Sequence, residues 1–198
     1  MNYLINIDQQ AFYFINTTCH FEALDKLMPY WRSMYLWIPL YIFFISFLIE
    51  KFGKKGWIYL LCLAITIGFS DTISSKLIKK SVERARPCHD VSRNLEYMHE
   101  MKLLIPCGSG YSFPSSHATN HFAIATFIIL TFAKRKKWLK IGLLAWAFSI
   151  ALGQVYVGVH YPLDVICGGI LGSLLGWATA YFYTKYAKDF NINAVSVV

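Results

Sequence analysis

The chain has 198 residues, 56% of them hydrophobic, and a formal net charge of +8 at pH 7. Ordinary soluble domains are about 45–50% apolar, so this composition argues against a typical soluble globular protein. The charge does not indicate nucleic-acid binding, because the basic residues cluster in short loops between apolar runs, as the topology signals of membrane proteins do.

Residues 1–33 combine aromatic side chains with charged residues that include Asp8, Glu22, Asp25 and Arg32. We predict that this segment forms amphipathic helices on the outer membrane interface. A sixth membrane span over about Leu4–Cys19 is the less favoured alternative, since Asp8 and two glutamines interrupt it. The segment is a poor signal peptide, because no basic residue precedes its apolar positions.

Five further runs are predicted to cross the membrane, whose hydrocarbon core takes about 20 apolar residues. In chain order they are Met34–Glu50, Trp57–Ile78, His117–Ala133, Trp138–Val157 and Leu163–Thr184. The sequence therefore predicts an all-α protein, a polytopic membrane helix bundle that forms a single domain over residues 1–198.

The short loops predict the orientation of this bundle. Loops 51–56 and 133–140, together with Lys185 and Lys188 in the tail, lie on one side and are rich in basic residues. The positive-inside rule makes that side cytoplasmic. We therefore predict a multi-pass protein of the bacterial cytoplasmic membrane. The N-terminal segment and loops 79–116 and 154–162 then face the periplasmic or extracellular side.

The first polar feature of the outward loops is a pair of cations. Lys79 and Arg86 are seven residues apart, so they share one face if the helix continues through them. A basic collar at the membrane surface is the structural alternative. However, topology requires no excess of cations on the outer side, and the cluster therefore indicates a bound anion.

The second feature is the stretch SFPSSHATN at residues 112–120. Pro114 can open a helix, which places Ser115, Ser116 and the following amides at its N-terminus. Such a terminus favours anions through its free N–H groups and its dipole. His117 falls in the first turn. The alternative is a serine N-cap followed by an ordinary interfacial histidine.

The third feature is the pair His160 and Asp164, which can meet across one helical turn. A carboxylate bound to one imidazole nitrogen fixes the tautomer and leaves the other nitrogen free to attack. A structural pair at a helix end is the alternative. We predict no metal or cofactor, because only His117 and His121 have ligand spacing and the cations would repel a dication.

These three stretches together resemble the signature of the type 2 phosphatidic acid phosphatase (PAP2) superfamily, membrane branch: K-x6-R-P, P-S-G-H and S-R-x5-H-x3-D. The first matches Lys79 to Pro87, the second matches Pro114 to His117 with Ser116 in place of glycine, and the third matches His160 and Asp164. The resemblance covers roughly residues 57–184.

The third motif departs from the family at Gly153 and Gln154, which replace Ser-Arg. In the enzymes that the chain resembles, that arginine binds phosphate. Glutamine can still hydrogen-bond but lacks the charge and the bidentate fork. The site is then weaker, or inactive, or another cation substitutes, for which Arg84 and Arg93 of the outer loop are the candidates.

The resemblance implies a mechanism. His160 attacks phosphorus and forms a phosphohistidine, Asp164 orients His160, and His117 protonates the leaving oxygen and then activates water. The phosphoryl oxygens are held by Lys79, Arg86, Ser115, Ser116 and nearby amides, with Gln154 in the position of the family arginine. The family's soluble vanadium haloperoxidases share this site, but five membrane spans argue against that activity.

Loop 79–116, the predicted outer active-site loop, also contains Cys88 and Cys107. They bracket 18 residues that face an oxidising compartment, which predicts a disulfide; two free thiols are the alternative.

The predicted function is a metal-independent lipid phosphatase whose partners are the bilayer and a membrane lipid phosphate. Undecaprenyl pyrophosphate is the favoured substrate, with lipid A phosphate and phosphatidylglycerol phosphate as rivals. A lipid phosphotransferase and a non-catalytic protein that binds anionic lipids are the other hypotheses. The sequence does not predict the oligomeric state.

Overall fold

Helices make up the regular structure of the residues that the structure describes. The computed structural model describes residues 2–90 and 100–187, and within them we find no β-strand. The α-helices are α1 Asn2–Tyr13, α2 Glu22–Trp31, α3 Met34–Phe52, α4 Lys54–Asp71, α5 Lys79–Val82, α6 Ser116–Thr131, α7 Lys137–Tyr156 and α8 Pro162–Ala187. Two π-helical stretches extend α1 and join α4 to α5; they are Phe14–Thr18 and Thr72–Ile78.

The predicted all-α membrane bundle is confirmed. Each of the five predicted spans coincides with a helix to within a few residues. Within the described ranges, four helical runs are long and apolar enough to cross a membrane, namely Met34–Phe52, Lys54–His89, Lys137–Tyr156 and Pro162–Tyr186. The fifth, α6, has 16 residues, about 24 Å of helix, and it packs against α4, α7 and α8.

Glycines allow α8 to lie directly against α6. Gly168, Gly172 and Gly176 follow one another at intervals of four, which places them on one face of α8. A Cβ at Gly172 would lie 2.1 Å from the carbonyl oxygen of Thr119, and one at Gly176 would lie 2.4 Å from that of Ala123. Small residues at such spacing let membrane helices approach closely, so the starts of α6 and α8 are held side by side.

The N-terminal segment turns its polar side chains inward. Asp8, Gln9 and Asn16 are buried, whereas Leu4 and Phe14 are exposed. A helix of a soluble protein has the opposite polarity. This arrangement agrees with contact between the segment and lipid, and the interfacial location of residues 1–33 remains a prediction.

The predicted site residues lie at one end of the bundle. The helical run of α4 and α5 ends there, α6 begins there, α7 ends there, and α8 begins there. The basic loops at 51–56 and 133–140 lie at the opposite end. This separation agrees with the predicted orientation, in which the basic loops face the cytoplasm.

The close approach of α6 and α8 gives a first prediction. We expect Gly172→Ala to lower the free energy of unfolding by about 1–3 kcal/mol, because the added methyl overpacks the interface and the backbone of α6 must move away. The thermal midpoint in detergent measures this change.

Gly142→Ala in α7 is the matched control, since a Cβ there meets nothing within 4 Å and alanine favours a helix over glycine. Its midpoint should stay level or rise. Equal midpoints for both variants would contradict the packing argument.

Candidate active site

The two cations of the first motif reach the site by a chain reversal. We predicted that Lys79 and Arg86 share a helix face if the helix continues through them. It does not continue, because α5 ends at Val82 and Glu83 adopts a left-handed conformation (φ 51°, ψ 31°). The backbone of Arg86 is in an extended conformation. Lys79 is half-buried and has no hydrogen-bond or ion-pair partner within residues 2–90 and 100–187.

Arg86 is fixed by backbone carbonyl oxygens. Its Nε donates to the carbonyl oxygen of Gly110 and its Nη1 to that of Val159, each at 3.2 Å. Nη1 also lies 3.4 Å from Nε2 of His160. A guanidinium only donates hydrogen bonds, so this contact assigns the acceptor role to Nε2.

The His160 ring lies between this arginine and a carboxylate. The side chain is almost fully buried, with its Nδ1 3.5 Å from Oδ2 of Asp164 and 3.3 Å from Oγ of Ser112. With Nε2 as acceptor, the ring proton lies on Nδ1 and faces the carboxylate. His160 therefore presents an unprotonated nitrogen to the cationic side of the site.

Asp164 is held by donors from several segments. It is fully buried and accepts hydrogen bonds from the backbone N–H of Tyr161 at 2.8 Å, from Nη1 of Arg84 at 2.7 Å and from Oγ of Ser112. Its own carbonyl oxygen accepts from the N–H of Ser115 at 3.0 Å. These contacts join the first turns of α6 and α8 to the outer loop.

Arg84, one of the two candidates for a substituting cation, is engaged by other side chains. Its Nη2 donates to Asp8 at 2.5 Å, its Nη1 is bound to Asp164, and its guanidinium stacks on the Tyr161 ring at 4.3 Å. Asp8 also accepts from the N–H of Leu163 at 2.7 Å. Because two carboxylates already engage Arg84, we assign it to positioning Asp164 and not to contact with substrate. Arg93, the other candidate, lies outside the described residues.

The N-terminus of α6 is supported by its own serines. Ser115 is the N-cap, and its side chain accepts from the N–H of Ala118. Oγ of Ser116 lies 2.8 Å from Oγ of Ser75, which in turn donates to Asp71 at 3.1 Å. The first amides of a helix have no partner within it, so this end of α6 offers N–H donors near His160.

His117 occupies the first turn of α6 and is half-buried. The charges of Arg32, His160 and Lys79 all act on its ring, which places it in the same electrostatic environment as the other motif residues. The three predicted motifs therefore converge on one site.

A further arginine, which the sequence analysis did not predict as a site residue, enters the site. Nε of Arg32, at the C-terminal end of α2, donates to Oε1 of Gln154 at 3.0 Å. Gln154 is fully buried and occupies the position of the family arginine. A cation from the N-terminal segment therefore lies against the residue that replaces that arginine.

The disulfide that we predicted is present in the structure, where Cys88 and Cys107 are bonded with a Cα–Cα distance of 6.1 Å. It connects the end of the first motif to the segment before the second. Among the described residues, one cluster has the composition of a metal site, Cys88, His89 and Cys107, but its two cysteines are bonded to each other.

Comparison with known proteins places this arrangement in a class. The PAP2 superfamily profile matches residues 55–188. A lipid A 4'-phosphatase of Bacteroides thetaiotaomicron is 33% identical over 180 residues, which are 89% of this chain and 77% of the relative. An undecaprenyl-diphosphatase of Sulfolobus acidocaldarius is 30% identical over 151 residues, 76% of this chain and 65% of the relative. The crystal structure of Aquifex aeolicus LpxE superposes with a TM-score of 0.63 at 26% identity, covering 87% of this chain and 94% of LpxE.

The helical membrane bundle and these relatives identify a membrane-bound lipid phosphatase. The chain belongs to the PAP2 superfamily.

The burial of His160 gives a prediction about its protonation. Burial, together with the nearby charges of Arg86 and Lys79, lowers the pKa of His160 to about 4 from its ordinary 6.5, although Asp164 opposes the change. We expect the ring to stay neutral down to pH 5. Histidine NMR of the protein in detergent, with His160→Asn to assign the signal, measures the protonation of this ring.

The same shift has a consequence for stability. Between about pH 6.5 and 4 the unfolded chain binds a proton at this position and the folded chain does not, so stability falls as the pH falls through that window. A His160 resonance that titrates near 6.5 would contradict the described environment.

The disulfide gives a third prediction. Replacing both Cys88 and Cys107 by serine should lower the free energy of unfolding by about 3 kcal/mol, because the unfolded chain regains a loop of this size. Cys19→Ser, at an exposed free cysteine, is the control and should leave the thermal midpoint unchanged. Dithiothreitol should lower the midpoint of the wild type and not that of the double variant.

Proposed function

We propose that this lipid phosphatase transfers the phosphoryl group of its substrate to Nε2 of His160. The position of that ring supports the proposal. Nδ1 faces Asp164 and Ser112, and Nε2 faces Arg86 with its lone pair unprotonated. Asp164 stabilises the positive charge that the imidazole acquires when it attacks.

The charges around His160 suit a phosphoryl group. Arg84 balances Asp164. Within the described residues, Lys79 has no carboxylate partner, and Arg86 binds only carbonyl oxygens and the histidine. We assign these two cations, with the amides at Ser116 and His117, to the phosphoryl oxygens. Donors fixed in advance around developing charge are a major source of catalysis.

His117 is assigned to proton transfer. As the P–O bond to the lipid breaks, His117 donates a proton to the leaving oxygen and becomes neutral. It then takes a proton from a water molecule that attacks the phosphohistidine, the P–N bond breaks, and inorganic phosphate leaves with His160 restored. These steps need no metal ion.

We propose lipid A as the substrate class, in place of undecaprenyl pyrophosphate. The lipid A 4'-phosphatase relative aligns with 89% of the chain at 33% identity, and the undecaprenyl-diphosphatase relative aligns with 76% at 30%. The longer alignment supports a 4'-phosphate of lipid A, and undecaprenyl pyrophosphate remains the second candidate on the strength of the other relative.

An apolar groove beside the site supports an acylated substrate. It has a volume of about 560 Å³ and is bordered by Phe122 of α6, by Phe148 and Val155 of α7, and by Val165 and Ile170 of α8. Val155 and Val165 directly follow Gln154 and Asp164 in sequence. We assign the groove to an acyl chain, which would leave the phosphate at the outward end of the bundle.

Phosphate release from purified protein in detergent tests the proposal. Lipid A, undecaprenyl pyrophosphate and phosphatidylglycerol phosphate are offered separately with EDTA present, and mass spectrometry of the lipid A product reports which phosphate is lost. We expect release from the 4' position, and a loss of at least about 10³-fold in His160→Ala, because the nucleophile is gone.

His89→Ala, an exposed histidine outside the site, is the matched control and should keep wild-type activity. Undiminished activity in His160→Ala would refute the phosphohistidine mechanism. Loss of activity in EDTA that zinc or magnesium restores would refute metal independence. Release from undecaprenyl pyrophosphate alone would refute the assignment of lipid A, and phosphate appearing on a second lipid instead of in solution would show a transferase.

A further inference from the structure

The third motif of this chain lacks the arginine that the family has at this position. Gln154 occupies its position on α7 and is fully buried. Its Oε1 accepts a hydrogen bond from Nε of Arg32, which is 122 residues earlier in the chain. Where α7 lacks the family's positive charge, a positive charge from the end of α2 therefore lies beside it.

The backbone around Arg32 is anchored on both sides. Before it, Nε1 of Trp31 donates to Oγ of Ser149 on α7 at 3.0 Å. After it, Ser33 is the N-cap of α3. On α7 a Cβ at Gly153 would lie 3.7 Å from Cβ of Arg32, so both residues that depart from the family motif lie beside this arginine. The position of the guanidinium is thus set by several contacts.

Donors at this point remain without a partner. Nε2 of Gln154 is buried and makes no hydrogen bond within the described residues. Its amide cannot be turned to satisfy that nitrogen, because Oε1 is needed as the acceptor for Arg32. The two terminal amino groups of Arg32 likewise have no acceptor within residues 2–90 and 100–187. A buried donor such as Nε2 of Gln154 is unfavourable without a partner, and an anion bearing oxygen atoms would provide one.

The surrounding charges also favour an anion. Burial and the neighbouring Arg86 both lower the pKa of Arg32, so the two guanidinium groups repel each other across the site. The charge of Arg32 also acts on His117. No carboxylate in the described part of the chain forms an ion pair with Arg32. Two half-buried arginines facing one space are stabilised by a group that carries negative charge.

We propose that Arg32 and Gln154 together form the part of the phosphate site that the family arginine forms elsewhere, with the terminal amino groups of Arg32 and Nε2 of Gln154 binding the phosphoryl oxygens of a lipid phosphate. This inference rests on the proposed function, since it concerns the same site. It adds a phosphate-binding residue from the N-terminal segment, outside the three motifs.

An exchange of the two side chains tests the inference. Arg32→Gln removes the cation, and we expect kcat/KM for phosphate release to fall by about 10²-fold, the usual effect of removing a donor to a transition-state oxyanion. Gln154→Arg combined with Arg32→Gln returns the cation to α7 and should recover at least about tenfold over Arg32→Gln alone. Lys26→Gln, at an exposed residue of the same helix, is the control and should stay within twofold of the wild type.

A binding measurement that does not depend on turnover accompanies the assay. Orthovanadate, as a phosphate mimic, should raise the thermal midpoint of the wild type and of Lys26→Gln, and raise that of Arg32→Gln much less. Should the exchange variant fail to fold, Arg32→Ala decides instead: added guanidinium ion should restore its activity, and the same concentration of sodium should not.

The outcomes separate the two proposals. Wild-type protein that releases phosphate from no lipid would refute the proposed function, and the vanadate measurement would still decide the inference about Arg32. An active wild type, with Arg32→Gln within threefold of it and an unchanged vanadate shift, would overturn the inference alone. An exchange variant that folds but is no better than Arg32→Gln would overturn it as well.

Discussion

The architecture of the site depends on one buried carboxylate. Burying the charge of Asp164 is unfavourable unless donors surround it, and the chain supplies them from its N–H at Tyr161, from Ser112 and from Arg84. Arg84 and Ser112 lie in the outer loop and Tyr161 directly precedes α8, so satisfying this one carboxylate fixes the outer loop against the start of α8. The carbonyl oxygen of the same residue binds the N–H of Ser115 at the start of α6. His160 then takes its orientation from the same carboxylate.

The pairing of Asp164 with Arg84 also determines the net charge of the site around His160. Arg84 lies between two carboxylates and adds no free positive charge, whereas Lys79, Arg86 and Arg32 have no carboxylate partner among the described residues. The site is therefore neutral on the Nδ1 side of His160, where Asp164 and Arg84 pair, and positively charged on the Nε2 side, where Arg86 lies. This uneven distribution of charge favours a phosphoryl dianion and disfavours a metal ion. It arises because Arg84 is paired with carboxylates and the other three cations are not.

Local sequence patterns predicted much of this arrangement. The hydrophobic runs indicated all five central helices, because an apolar run of about this length is typical of a membrane helix. The spacing of His160 and Asp164 indicated their pairing, because it depends on one turn of chain. The shared helix face of Lys79 and Arg86 was not borne out, because Glu83 ends α5. Arg32 could not be predicted, because no local pattern encodes a contact with Gln154 across 122 residues.

The long separation of these contacts bears on the order in which the site forms during synthesis. Asp8 binds Arg84 and the N–H of Leu163, which follow it by 76 and 155 residues. The N-terminal segment emerges from the ribosome first, yet its partners on α7 and α8 are made last. The helices that are inserted early therefore lack these hydrogen bonds until α7 and α8 enter the bilayer. The pocket closes around its charges only when the last helix arrives, so an incompletely inserted chain has no competent site.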